Sequence, residues 1–165
     1  MTRVHTLLDS PIDPITLVAN DGVLCGLFMD THKRRPDAAT FGERNDAVFA
    51  QVIEELNEYF TGERTSFDIP LAPVGNAFQH LVWNSLRTIP YGETMAYGEL
   101  ATLIGKPGAA RAVGSINGQN PISIIVPCHR VIGANGLLVG YGGGLHRKEF
   151  LLNLEKARVA PKLFV

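Results

Sequence analysis

The stretch IIVPCHRVIGANG, residues 124–136, sets a thiol, an imidazole and a guanidinium side by side behind a proline. A cysteine beside a histidine holds the parts for nucleophilic catalysis, because imidazole can take the thiol proton and the thiolate is the attacking species. Left alone, a thiol is only a few per cent ionised at neutral pH, so Cys128 needs such a base or a helix N-terminus. Residues i and i+1 point apart in a strand and do not face each other on a helix. A direct pair between Cys128 and His129 is therefore awkward; a water bridge or a turn at this step is required. The competing reading is an inert core filler, the usual fate of a free cysteine, and Cys25 in VLCGLF fits that description. Structural zinc asks for about four Cys or His ligands at short spacing. Here two cysteines lie about a hundred residues apart, and Cys25 with His5, His32 and His80 makes no obvious set. Neither a metal nor a cofactor is expected.

The elements that must position this group follow from periodicity. VHTLLDS, ITLVAND and VLCGLFM are short runs rich in Val, Ile, Leu and Thr, separated by PIDP and DG, and they predict an antiparallel meander. Val48, Phe49, Val52, Ile53, Leu56, Tyr59 and Phe60 recur at helical spacing up to Gly62. GERTSFDIPLAPVG is a polar, proline-containing connection. It divides the chain into an N-terminal α/β domain, 1–74, of structural or regulatory role, and a C-terminal domain, 75–165.

Beyond that boundary the pattern turns helical. Phe78, Leu81, Val82, Ser85 and Leu86 mark one helix; MAYGELATLIG, the turn KPG and AARAVGSING predict a helix-turn-helix. PISIIVPC then reads as extended, GANGLLVGYGGG as a glycine-rich hairpin, and residues from about 146 to 157 as a last helix. The fold class is α+β: a small antiparallel sheet with a helix, then a mostly helical domain carrying a short active-site strand and hairpin. AARAVGSING is small residues around one arginine, whereas a major-groove recognition helix carries several long polar readers. It suits either tight helix packing with Arg111 at the surface, or close approach to a narrow groove.

Composition is ordinary for a globular chain of 165 residues, with 45% apolar and 19% charged residues. No apolar run reaches the ~18 residues of a membrane span. MTRVHTLLDSPIDP is too polar for a signal peptide, and two cysteines suit a reducing compartment. A soluble cytoplasmic protein is expected. The net charge of −1 hides an asymmetry: residues 1–75 hold 6 Lys/Arg against 12 Asp/Glu, and residues 76–165 hold 9 against 4. Such a basic half suits a polyanionic partner.

AYGE, ARAVG, NP, PCHRV and GYGGG occur in an order and spacing that resemble the C-terminal domain of the O6-alkylguanine-DNA alkyltransferases, over about residues 78–155. The preceding part resembles the first domain of that family by order and length. The resemblance implies direct-reversal DNA repair: an alkyl group moves from guanine O6 to Cys128, irreversibly and once per molecule. It implies that His129 deprotonates Cys128 through a water and that Glu155, rather than Glu149, orients His129. It assigns Tyr97 to rotating the nucleotide and donating to the base, and Arg111 to filling the vacated stack from the minor groove. Ala109, Ala110 and Gly114 would let that helix approach the duplex, and Asn120 would brace the active-site loop.

The carbonyls of Cys128 and Val131 would accept from the base amine, Tyr141 would wall the pocket, and the Gly142 amide would donate to O6. Many relatives carry serine at Gly142, and Ala96 replaces a common serine. The expected partner is double-stranded DNA with a flipped alkylated base. A monomer is expected, with cooperative assembly on DNA left open, as are O4-alkylthymine and bulkier alkyl groups. Competing functions are a non-catalytic damage sensor, which Cys128 opposes, and a cysteine hydrolase, which explains neither the basic half nor Arg111. Transcription control lacks base-reading side chains.

Overall fold

The structure is a computed structural model that describes residues 2–29, 35–133, 141 and 143–159, with side chains at 157–159 excluded. Strands β1 (Arg3–Leu8), β2 (Ile15–Asn20) and β3 (Val23–Met29) form the expected meander. β1 and β2 pair antiparallel from Arg3 with Asn20 to Leu8 with Ile15. The β2–β3 link is Asp21-Gly22, both at positive φ (49° and 84°). A two-residue turn whose twist matches the strands needs that conformation, which is why DG works here. A fourth strand, β4 (Glu43–Arg44), runs parallel to β1, giving the order β3-β2-β1-β4. It arises in the polar run KRRPDAATFGER, where a two-residue edge strand has no hydrophobic period to show.

Helix α1 (Ala50–Phe60) turns Val52, Leu56 and Tyr59 into the core. Helix α2 (Ala77–Leu86) starts at a capping box in which Asn76 and Gln79 satisfy each other's backbone N–H. Strand β5 (Met95–Ala96) leads into α3 (Tyr97–Leu103), and the Gly105 turn (φ 77°) leads on to α4 (Ala110–Asn117). The chain closes with α5 (Leu145–Val159). This is the α+β architecture expected, with a helix-turn-helix in its second part. One apolar cluster takes residues from both parts, including Leu27, Leu56 and Tyr59 with Val82, Val113, Val131 and Leu151. The two parts are also joined by backbone: Leu27 N–H donates to Pro121 O at 2.8 Å.

One expectation fails. PISIIVPC is not an extended strand; residues 121–127 fold into successive turns, and Ile124 takes a φ of 73°. The cause is Asn120, whose amide accepts from Ile122 N–H at 3.0 Å and donates to Val126 O at 2.8 Å. Val126 N–H also returns to Ile122 O at 3.0 Å, so the segment satisfies its backbone locally. The short active-site strand comes after the cysteine instead: β6 (Val131–Ile132) pairs parallel with β5. Most of the glycine-rich hairpin, residues 134–140 with Gly142, lies outside the described residues, as do His32 and the VAPKLFV tail beyond Val159.

Candidate active site

Pro127 ends the turns and caps a single turn of 3-10 helix, Cys128–Arg130, which Arg130 N–H closes on Pro127 O at 3.0 Å. The turn rotates three successive side chains into the interior, where Cys128, His129 and Arg130 are all buried. Among the described residues Cys128 and His129 share no direct hydrogen bond, and His129 Nδ1 has no protein partner. Its other nitrogen, Nε2, lies 2.7 Å from Glu155 Oε2 on α5. Glu155 is 1% exposed, whereas Glu149 is exposed.

Glu155 collects more than a histidine. Arg130 grips it with two bonds, Nε to Oε1 at 2.9 Å and Nη2 to Oε2 at 3.1 Å, while Nη1 donates to Ile89 O at 2.7 Å. Tyr59 Oη donates to Oε2 at 2.6 Å, and Gly92 N–H reaches Oε1 at 3.4 Å. Burial alone would raise this carboxyl, but the hydrogen bonds and charges of His129 and Arg130 outweigh it and bring the pKa down to about 2. Glu155 is therefore an acceptor only, so His129 Nε2 carries the proton and Nδ1 presents its lone pair. Burial pulls the His129 pKa below its ordinary value despite Glu155, which keeps the ring neutral and able to accept.

Cys128 is buried too, and burial raises its thiol above the ordinary value against the lowering effects of Asn120, Lys148 and Ser123. The resting side chain is a thiol, so a base must act when the reaction occurs. Lys148 is fully buried on α5 and donates from Nζ to Val131 O at 2.6 Å. Desolvation lowers its pKa to about 8; with a proton it supplies positive charge near the sulfur.

The remaining residues fall into two groups. Asn120 braces the loop below Cys128, as its two bonds above show, and Tyr141 is buried with its hydroxyl unpartnered by protein. The Cys128 carbonyl accepts from Asn117 Nδ2 at 3.3 Å and from the Val131 N–H, and the Val131 carbonyl accepts from Lys148 Nζ. The second group is on the helix-turn-helix. Tyr97 opens α3 half-buried, and a Cβ on Gly114 would meet its ring at 3.5 Å. α4 thus lies within van der Waals reach of Tyr97 at Gly114, while Ala109 and Ala110 are partly exposed at the α4 start and Arg111 is exposed. The Gly142 amide lies outside the described residues, and Ala96 is the residue before α3.

Sequence reasoning gave no role to Tyr59, Arg130, Asn117 or Lys148. Lys148 had a signal: Lys148, Leu151, Leu152 and Glu155 fall at helical spacing on one stripe. Tyr59 looked like any aromatic in the α1 stripe. Among the described residues no group of three or more His, Cys, Asp or Glu is placed to hold a metal ion.

Family models match both halves of the chain. Residues 4–73 match the family described as 6-O-methylguanine DNA methyltransferase, ribonuclease-like domain, and residues 77–157 match its DNA binding domain. The chain belongs to the 6-O-methylguanine DNA methyltransferase family. A methylated-DNA–protein-cysteine methyltransferase of Mycobacterium tuberculosis is 53% identical over 159 residues, 96% of both chains. That of Methanosarcina acetivorans is 50% identical over 151 residues, 92% of this chain and 97% of the other. A crystal structure of Mycobacterium tuberculosis OGT in complex with DNA superposes with a TM-score of 0.90, at 53% identity over 94% of each chain. Methyltransferase-family membership thus covers both halves of the molecule. No helix among the described residues is long and apolar enough to cross a membrane.

Proposed function

We propose that this chain is a methylated-DNA–protein-cysteine methyltransferase that repairs O6-alkylguanine in duplex DNA by taking the alkyl group onto Cys128, once per molecule. The observation that carries the reading is the Cys128, His129, Glu155 arrangement: a buried thiol followed by an imidazole whose free nitrogen faces no protein partner and whose other nitrogen is held by an ionised carboxylate. In the reaction the Cys128 proton passes to His129 Nδ1 through a solvent molecule. The sulfur lone pair forms a bond to the alkyl carbon, the carbon–O6 bond breaks, and guanine leaves with the electron pair. The resulting imidazolium is stabilised by Glu155, which stays ionised. The product is a thioether, which has no easy hydrolytic exit, so the protein is consumed.

The buried sulfur cannot reach a stacked base, so the nucleotide leaves the helix before reaction. Arg111, exposed at the start of α4, fills the gap from the minor groove, and Tyr97 guides the base and donates to its ring nitrogen. The Val131 carbonyl takes the base amine, shared with the Cys128 carbonyl where the long Asn117 bond yields to it, and the Gly142 amide donates to O6. Phosphate contacts from the basic half bind the duplex with little sequence preference. Cytosolic residence and a monomeric state complete the reading. The test is stoichiometry: with a methylated duplex in large excess, restored guanine should plateau at one per protein chain. Continued turnover would contradict the proposal.

A further inference from the structure

Tyr59 belongs to the N-terminal helix α1, 96 residues from the Glu155 it bonds. Its ring is fully buried among Phe60, Phe67 and Tyr91, at centroid distances of 5.5, 5.4 and 6.3 Å. An aromatic packed this way needs no hydroxyl, yet the hydroxyl is spent on the same oxygen, Oε2, that accepts from His129. A neutral donor on a carboxylate oxygen withdraws charge from it. We propose that Tyr59 is a positioning residue of the relay: its hydroxyl holds Glu155 against His129 and moderates how strongly that carboxylate draws a proton onto the imidazole. This rests on the reading of Cys128, His129 and Glu155 as the relay, and it gives the N-terminal half a part in the chemistry.

The balance matters because His129 must be neutral before it can accept the Cys128 proton. A more basic Glu155 would hold His129 as imidazolium to higher pH and block the step. The groups facing the pair are Tyr59 from α1, Arg130 and Cys128 from the 3-10 turn, Lys148 from α5, and Tyr141. Tyr59→Phe keeps the ring packing and alters none of the other groups, so a shift in pH response reads the hydroxyl.

The experiment is the pH profile of methyl transfer from a methylated duplex, measured in single turnover on the full chain and on Tyr59→Phe. The acid limb of the variant should move up by about half a unit to one unit, part of the roughly one to two units that a lost hydrogen bond to a charged group is worth, because Tyr59 acts on His129 through Glu155; duplex affinity should stay unchanged. A second protein carries 3-fluorotyrosine in place of Tyr59, which keeps ring and hydroxyl and strengthens the donor. Its acid limb should move down. Opposite shifts support the proposal, since a purely structural role gives no such sign change. An unmoved limb in either protein overturns it, whatever happens to Tm. A parent chain that transfers no methyl group overturns the relay reading as well, which separates the two failures.

Discussion

On the proposed reading, Cys128 reaches its chemistry by a route that its own environment opposes. Burial favours the neutral thiol, so the rate should depend on His129 more than on any standing thiolate. His129→Ala should slow methyl transfer by about 10²–10⁴-fold, the usual worth of a general base, while duplex binding in a gel-shift titration stays within a fewfold of the parent. Lys148 should matter in a different way. Below about pH 8 Lys148 carries its proton near the sulfur, so in that range iodoacetamide should alkylate Cys128 more slowly in Lys148→Met than in the parent, and the difference should fade at higher pH. An unshifted labelling profile would show that the Lys148 charge does not reach the thiol.

Glu155 ties reactivity to stability. Its folded pKa of about 2 lies below the ordinary value of 4.5. A depressed carboxylate contributes stability that is fully present above the unfolded value and is lost as pH falls from about 4.5 towards 2. The contribution is roughly 3 kcal/mol at neutral pH. Glu155→Gln also strands the buried Arg130 charge, so the variant should lose about 3–5 kcal/mol at pH 7 in urea unfolding. The gap to the parent should narrow at pH 3.

The elements show how a loop is made rigid enough for this. Residues 121–127 look like a strand in sequence because Ile122, Ile124, Ile125 and Val126 are apolar and β-branched. They are buried, but as turns, because one side chain, Asn120, offers the backbone both a donor and an acceptor. Propensity cannot see such a side-chain bridge. The helix-turn-helix, by contrast, was legible, since its two helices and glycine turn carry local signals. α4 presents Arg111 outward while Gly114 packs on Tyr97. Arg111→Ala should therefore slow repair in duplex DNA by at least tenfold more than it slows reaction with a free alkylated base. Equal losses on both substrates would remove Arg111 from any role in opening the duplex.

At the scale of the molecule, the site is shared between halves that the sequence separates by charge and by a proline-containing connection. The Cys128–His129 pair was legible in one motif, and the contact of Glu155 with His129 was expected from the family resemblance of the last helix. Tyr59 was not, because a 96-residue separation leaves no local pattern and a tyrosine in an apolar stripe is explained by packing alone. The acidic N-terminal half and basic C-terminal half predict that duplex affinity falls steeply between about 50 and 200 mM salt and varies little with sequence. A salt-independent affinity would place binding elsewhere than on the basic half.

The most direct measurement is the peptide mass of the protein after incubation with a duplex carrying one O6-methylguanine. The account predicts one added methyl group, on the peptide containing Cys128, never more than one per chain, and absent in Cys128→Ala. An unmodified Cys128 beside repaired DNA, or a methyl group on any other residue, would contradict it.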